Sequence, residues 1–297
     1  MAASFRRVAI LGTGLIGGSF ALALRKHAPD SMVVGWDKGH VLRHALERGV
    51  IHEGFADLSF AVAGADLIYV ALPVGQTMEV LPEVARLALP HALVTDASST
   101  KRSVCAVATE CFREAGARFL GGHPMAGKEI SGIAAADANL FRGSKYALIQ
   151  EPHEDIAEKH YRPPLAENVA DFVALLETLG AEPIWLDADA HDRAAAVVSH
   201  LPQLLAVALA GVVRGQTDET GLPVTLAGRG LRDALRLAGS PYSVWRDIIL
   251  TNSDNLDHVL DQMIQSLEQL RGEMRTRALE EQFTAAGELY KILRDLQ

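Results

Sequence analysis

The sequence predicts an α/β, Rossmann-type nucleotide-binding domain with a mostly parallel sheet, followed by an all-α C-terminal domain. Three observations predict it. Short β-branched runs alternate with helical stretches through the first part of the chain. A glycine-rich turn follows the first of those runs directly. From Asp187 onward apolar residues recur only at helical spacing. Strand–helix alternation of this kind implies a parallel sheet covered on both faces. The boundary is placed at Leu186, dividing the chain into residues 1–186 and 187–297.

Each element has its own signal. "RVAIL" (Arg7–Leu11) reads as a buried strand and "LIGGSFALALRKH" (Leu15–His27) as a helix with an apolar face. "MVVGWD" (Met32–Asp37) is a second strand, and "HVLRHALERG" a helix stopped by Gly49. "DLIYVALP" (Asp66–Pro73) is a strand closed by proline, and "QTMEVLPEVARLAL" a helix made irregular by Pro82. "ALVTDA" (Ala92–Ala97) is a strand, "TKRSVCAVATECFREAG" a helix and "RFLGG" a strand. "KYALI" (Lys145–Ile149) and "EPIWL" (Glu182–Leu186) are further strands, and "HYRPPLAEN" (His160–Asn168) is a proline-containing surface connection. "SHLPQLL" (Ser199–Leu205) begins or kinks a helix of the second domain.

Composition narrows the function. The 297 residues hold 49% apolar residues, enough for a sizeable core. With 28 basic and 37 acidic residues the net charge is −9, which argues against nucleic acid as a partner. Cys105 and Cys111 lie in one helical stretch, off a shared face, with no metal spacing and no disulfide framework. A reduced, cytoplasmic setting is expected. The N-terminus enters a strand rather than a signal segment. The longest apolar run, "LLAVALAGVV", is about half of what a bilayer span needs, so no membrane partner is expected.

"VAILGTGLIGG" places Gly12, Gly14 and Gly17 in G-x-G-x-x-G order. The motif alone is weak. Here it follows a strand, opens a helix at Leu15 and Ile16, and precedes an acidic residue, Asp37, by about 20 positions. Gly12 allows the tight turn, Gly14 a close approach of backbone to a pyrophosphate, and Gly17 close helix–strand packing. The helix N-terminus offers N–H groups to phosphate, so an acidic chain can hold an anion without basic side chains. Asp37 would accept hydrogen bonds from ribose hydroxyls and repel a 2′-phosphate, which favours NAD over NADP. Lys38 beside it softens that preference, and a simple helix cap is the other reading of Asp37. Leu72 and Pro73, in "VALPVGQT", sit at the carboxyl end of a strand, where doubly wound sheets bind ligands. They either skirt the nicotinamide half or form an ordinary turn.

In "GGHPMAGKEISG" (Gly121–Gly132) the glycines and proline favour a stiff loop, which holds His123. The imidazole there suits proton transfer or a structural hydrogen bond. "TDASSTK" (Thr95–Lys101) puts Ser99 and Lys101 on a neighbouring carboxyl-end loop, and "SHLPQLL" puts His200 and Gln203 near the domain cleft. Ser99 alone reads equally as a helix cap. Arg229, Arg232 and Arg236 share a spacing that reads as one solvated basic face. Arg246 reads as an ion-pair partner of a carboxylate, and His191 as a helix-start or domain-contact residue.

The motifs "GTGLIGGS", "TDASSTK", "GGHPMAGKEISG", "NLF", "VVSHLP" and "WRDI", in that order, make the chain resemble the prephenate/arogenate (cyclohexadienyl) dehydrogenase family of tyrosine biosynthesis over nearly its whole length. The resemblance implies that His123 is the hydride-transfer base and that Ser99 hydrogen-bonds this histidine and the substrate hydroxyl. It implies that Arg236 binds the ring carboxylate, that Lys101 shapes the pocket, and that the second domain forms a homodimer. The cofactor would be NAD, and no metal is needed. His200 and Gln203 are expected at the substrate; many relatives carry histidine where this chain has Gln203, and glutamine suits either a keto-carboxylate or an ammonium-bearing side chain. Arg229 stands where some relatives have glycine. The chemistry fits these residue types, because the oxidised ring loses CO2 and becomes aromatic without a strong electrophile. A β-hydroxyacid dehydrogenase is an alternative, but it would carry a catalytic lysine on a second-domain helix where this chain has "SHLPQ". A catalytically silent NAD-binding protein is the other.

Overall fold

Alternation along the first strand sets the two layers of the N-terminal half. In β1 (Arg7–Leu11), Val8 and Ile10 enter one core while Ala9 and Leu11 enter the other. Successive strand side chains leave opposite faces, so a strand covered on both sides must be apolar throughout. The computed structural model describes residues 5–128, 130–150, 165–217 and 219–295. The first residues of the expected surface connection, His160–Pro164, fall outside the described residues.

Eight strands form one sheet in the order β3-β2-β1-β4-β5-β6-β7-β8. They are β1, β2 (Met32–Trp36), β3 (Glu53–Phe55), β4 (Leu67–Val70), β5 (Leu93–Asp96), β6 (Arg118–Pro124), β7 (Lys145–Ile149) and β8 (Glu182–Leu186). The first six are parallel; β7 runs antiparallel to β6, and β8 parallel to β7. The strand order reverses between β1 and β4, the place where doubly wound sheets open a crevice at their carboxyl ends. Helices α1 (Leu15–His27), α2 (Gly39–Glu47), α3 (Leu58–Val62), α4 (Val74–Leu87), α5 (Arg102–Phe112) and α6 (Glu167–Thr178) join and cover the strands. α4 runs unbroken through Pro82. On one face Phe20 stacks on Tyr69 at 4.0 Å, and the Tyr146 hydroxyl donates to that of Tyr69 at 3.1 Å.

The sheet corrects one expectation. His123 is not on a loop. It pairs with Ala147 inside β6, because the antiparallel β7 extends that ladder through Pro124. The glycines before it serve close packing rather than a turn: a Cβ on Gly122 would lie 2.7 Å from the Asp96 carbonyl oxygen.

Beyond β8 the described residues are helical or in turns. The longest rod joins α7 (Ala188–Ala195), a π-helical turn (Ala196–His200) and α8 (Leu201–Gln216). It is followed by α9 (Leu222–Thr225), α10 (Arg229–Leu235), a 3₁₀ turn (Arg236–Gly239), α11 (Tyr242–Thr251), α12 (Ser253–Glu273) and α13 (Ala278–Asp295). The expected kink at "SHLPQLL" is the π turn, a feature that often marks functional sites. The span Ala188–Gln216 is long and apolar enough, by length and composition, to cross a membrane, which the ten-residue run alone is not. Its buried side chains include His191, Asp192, His200 and Gln203, so its inner face is polar.

Gly122→Ala should destabilise the protein by about 1–3 kcal/mol through overpacking against main chain. A lowered urea midpoint with an unchanged m-value checks this; an unaltered midpoint contradicts it.

Candidate active site

The glycine turn shows why two of its positions require glycine. Gly12 has φ of 92°, open to glycine at little cost, and a Cβ there would lie 2.5 Å from the Ala71 carbonyl oxygen. A Cβ on Gly17 would meet the Gly12 carbonyl oxygen at 2.0 Å. Gly14 differs: nothing lies within 4 Å of its Cβ position. Gly14 is also the N-cap of α1, with no side-chain cap and no acidic residue in the first turn. The N–H groups at Leu15 and Ile16 therefore open a helix end suited to phosphate.

Asp37 fixes this turn. Its Oδ2 accepts from the Thr13 N–H at 2.8 Å and the Thr13 hydroxyl at 3.1 Å, and its Oδ1 accepts from the Lys38 N–H at 2.7 Å. The N-cap of α2 is Lys38, without a side-chain cap, so Asp37 does not serve as that helix's cap.

A cleft of about 360 Å³ opens beside the turn. It is lined by Gly14, Leu15 and Ile16, by Leu72 and Pro73, by Ser98 and Ser99, and by Ala126 and Gly127. Ser240, Pro241, Val244 and Ile248 close it from the helical half. Larger hollows, of about 700, 720 and 560 Å³, contain no residue of the glycine turn. Topology rather than size locates the site, since the smaller cleft lies at the carboxyl ends of β1 and β4.

A polar cluster lies beneath it. Lys101 is 0% exposed; its Nζ pairs with Asp96 and donates to the Gly122 carbonyl at 2.7 Å. Asp96 also accepts from the Ser98 N–H at 2.9 Å and the Gly122 N–H at 3.0 Å. These bonds lock the residue before His123 to the loop that carries Ser99. Lys101, expected at the substrate, is thus committed to supporting the site from below.

His123 is buried, with Nδ1 at 2.9 Å from His191 Nε2. His191 Nδ1 is 2.7 Å from Asp192 Oδ1. Burial, then the nearby His191, Lys101 and His200, hold the His123 imidazole well below the ordinary histidine range, so it is neutral near pH 7. Burial pushes the Asp192 carboxyl up, but hydrogen bonds from His191 and the N–H groups of Arg102 and Lys101 outweigh it and keep the carboxyl low. His191, and Asp192 through it, are the contacts of His123 that the motif reading did not identify. Their signal was present in "DADAHDR", a histidine–aspartate pair at the domain boundary.

Of the other expected residues, Ser99 lines the cleft, whereas His200, Gln203 and Arg236 are not among its lining residues. Ser99 is half-buried on the cleft wall. His200 accepts at Nδ1 from the Asn252 amide at 3.2 Å, and burial pushes it down to about 4. His200 Nε2 and Gln203 Oε1 are buried with no hydrogen-bond partner among the described residues. Arg236 is exposed and opens the 3₁₀ turn that leads into Ser240 and Pro241 of the cleft. Arg246 is ion-paired with Asp247, whose Oδ2 accepts from the Gly75 N–H at 3.1 Å across the two halves.

A glycine turn built for a dinucleotide, a neutral buried histidine and a helical half closing the crevice define a dinucleotide-dependent dehydrogenase with a helical second domain. The comparisons make the class particular. Residues 20–162 match the family model "Prephenate dehydrogenase, nucleotide-binding domain", and residues 187–294 match "Prephenate dehydrogenase, dimerization domain". The chain is 36% identical over 84% of its length to a prephenate dehydrogenase of Lactococcus lactis, and the match covers 66% of that protein. It is 30% identical over 90% of its length to a cyclohexadienyl dehydrogenase of Zymomonas mobilis, covering 88% of that protein. A solved prephenate dehydrogenase of Aquifex aeolicus, in complex with hydroxyphenyl propionate and NAD+, superposes with a TM-score of 0.84 over 100% of both chains at 26% identity. The chain belongs to the prephenate dehydrogenase family.

The buried neutral histidines make stability depend on pH. A histidine with a lowered folded pKa contributes fully above its unfolded value near 6.5, and the contribution falls as pH drops below that. His200, pushed down to about 4, alone removes about 2 kcal/mol at pH 5 relative to pH 8. Thermal scans at constant ionic strength should show Tm declining between pH 7 and pH 5; a flat profile contradicts neutral burial.

Proposed function

We propose that this protein carries out NAD-dependent oxidative decarboxylation of prephenate to 4-hydroxyphenylpyruvate, and of arogenate to tyrosine, in tyrosine biosynthesis. The observation that carries this reading is the neutral His123 at the carboxyl end of β6, three residues before the cleft wall at Ala126. NAD, when bound, would supply the acceptor for the hydride that leaves the carbinol carbon of the ring. Every other part of the reaction falls to the chain.

The start of α1 holds the pyrophosphate through backbone N–H groups, with Gly14 leaving it room. Asp37 keeps lone pairs for the ribose hydroxyls, and its charge disfavours a 2′-phosphate, which makes NAD the preferred cofactor. Leu72 and Pro73 flank the nicotinamide half. His123 Nε2 accepts the proton of the substrate hydroxyl, a contribution of about 10²–10⁴ in rate for a positioned base. Ser99 orients the same hydroxyl. The resulting dienone then loses CO2 and gains aromaticity, so no metal is called for.

The far end of the substrate needs different chemistry. Arg236 offers a planar fork to the ring carboxylate, worth roughly 1.5–3 kcal/mol as a charged contact. With Nδ1 accepting from Asn252, His200 carries its proton on Nε2 and offers a donor; Gln203 Oε1 offers an acceptor. Together they suit the side chain of prephenate or arogenate.

The division near Leu186 separates a cofactor half from a helical substrate and dimerisation half. A homodimer accounts for surface that one copy leaves uncovered. Helix α13 has no buried residue, yet Phe283 is 72% and Tyr290 67% exposed. Val197, Val198, Val207 and Val212 expose the outer side of the long rod. A second copy, not a bilayer, covers these faces, because the same rod buries His191, Asp192, His200 and Gln203 within the chain. The location is cytoplasmic, in line with two free cysteines, and nucleic acid is no partner for a chain of net charge −9.

Purified protein should form NADH with prephenate, with arogenate or with both, assayed side by side, and His123→Asn should lower turnover by about 10²-fold or more while NAD affinity holds. No NADH with either substrate overturns the reading. Sedimentation at micromolar concentration should give twice the 31.9 kDa chain mass; a 31.9 kDa species removes the dimer.

A further inference from the structure

We propose that His191 and Asp192 are positioning residues that fix His123 as the tautomer with its proton on Nδ1, leaving Nε2 to accept a proton. The proposal rests on the reading of His123 as the base.

The hydrogen-bond polarity follows from one end of the chain of contacts. An ionised carboxylate only accepts. Asp192 Oδ1, at 2.7 Å from His191 Nδ1, therefore places a proton on that nitrogen. A neutral imidazole with its proton on Nδ1 presents a lone pair at Nε2. His191 Nε2 lies 2.9 Å from His123 Nδ1, so the His123 nitrogen donates. Its Nε2 is then unprotonated, the state that a base requires. With His191 neutral, the opposite His123 tautomer would place two lone pairs face to face inside a buried contact.

Several features show that the arrangement is built. Asp192 is held at both oxygens: Oδ1 accepts from the Lys101 N–H at 2.7 Å and Oδ2 from the Arg102 N–H at 3.0 Å. Its main-chain carbonyl accepts from the Asn252 amide at 2.8 Å. The carboxylate cannot rotate without breaking the cap on α5. His191 and Asp192 are 3% and 0% exposed, so water does not compete for these bonds. The two rings meet nearly edge to face, with centroids 5.1 Å apart, which limits rotation of either imidazole. The base sits on the nucleotide-binding half, and the groups that set its tautomer sit on the helical half. The base is therefore competent only when the two halves are docked.

Three variants and one spectrum test this in the full-length protein. His191→Leu removes the acceptor, and should lower kcat by about 10- to 100-fold, part of what a positioned base contributes. KM for prephenate and NAD affinity should change far less. His191→Gln puts an amide oxygen where the ring nitrogen was, and should restore most of the lost kcat. His123→Asn runs alongside. If it keeps turnover, the base assignment itself fails. If it loses turnover while His191→Leu keeps its kcat, the positioning proposal alone fails. Equal losses in the Leu and Gln variants also overturn the proposal, because a purely structural role gains nothing from an acceptor. Nitrogen-15 spectra of the histidine-labelled protein should show the His123 proton on Nδ1; a proton on Nε2 overturns it.

Discussion

The Asp192 carboxylate accepts hydrogen bonds from both halves of the molecule at once. From its own half it takes His191 Nδ1, and from the other it takes the first two N–H groups at the start of α5. Neither Ser99 nor Lys101 supplies a side-chain cap for that helix, so the cap comes from the helical half. Charge-assisted bonds of this kind are each worth about 1.5–3 kcal/mol, and they act here out of water. Around them Arg102 pairs with Asp254, and the Thr100 and Thr251 hydroxyls meet at 2.7 Å. The same carboxylate thus joins the halves and, through His191, reaches His123.

Burial decides the protonation of what lies above that joint. Lys101 and Asp96 are a buried ion pair, and each has further partners, which such a pair needs to offset desolvation. Their reward is placement rather than stability: they fasten Gly122 to the β5 loop, and His123 follows directly. The ammonium of Lys101 also adds to burial in opposing a charge on His123. A group that binds the backbone beside His123 can therefore tune its protonation without touching it. This explains why a lysine read as a pocket residue turns up at 0% exposure.

The fold was largely legible in the sequence, because it rests on local periodicity. β1 and α1 occupy the expected residues, Arg7–Leu11 and Leu15–His27, since glycines flank a buried apolar run and open an apolar-faced helix. β3 was not read: it is a three-residue edge strand that pairs only with β2, too short to alternate. α6 had a signal, with Val169, Phe172, Val173 and Leu176 at helical spacing, but it adjoins the proline-containing stretch that dominated the reading. The loop assignment for His123 failed for a non-local reason. Glycine and proline suggest a turn, whereas β7, more than 20 residues later, draws that segment into a ladder. His191 was read as a helix-start or domain-contact residue; Asp187 caps the helix, and His191 makes the contact. What sequence could not supply was the identity of its partner, because 68 residues separate it from His123.

The rod from Ala188 to Gln216 carries two tasks on two faces. A regular α-helix of that length would drift its polar residues around the axis, since its period is 3.6. His191, Asp192, His200 and Gln203 nevertheless all lie buried, and the π turn at Ala196–His200 separates the first pair from Gln203 and ends on His200. Inserting one residue's worth of rotation there keeps both pairs on the inner face. The outer face is left to Val197, Val198, Val207 and Val212. Packing on that face and geometry at the site are then properties of one rigid element. Anything that shifts the rod along its axis moves Asp192 away from α5 and His191 away from His123 together. Cover on the outer face would hold the rod in register, so the apolar surface and the polar contacts are linked through one helix.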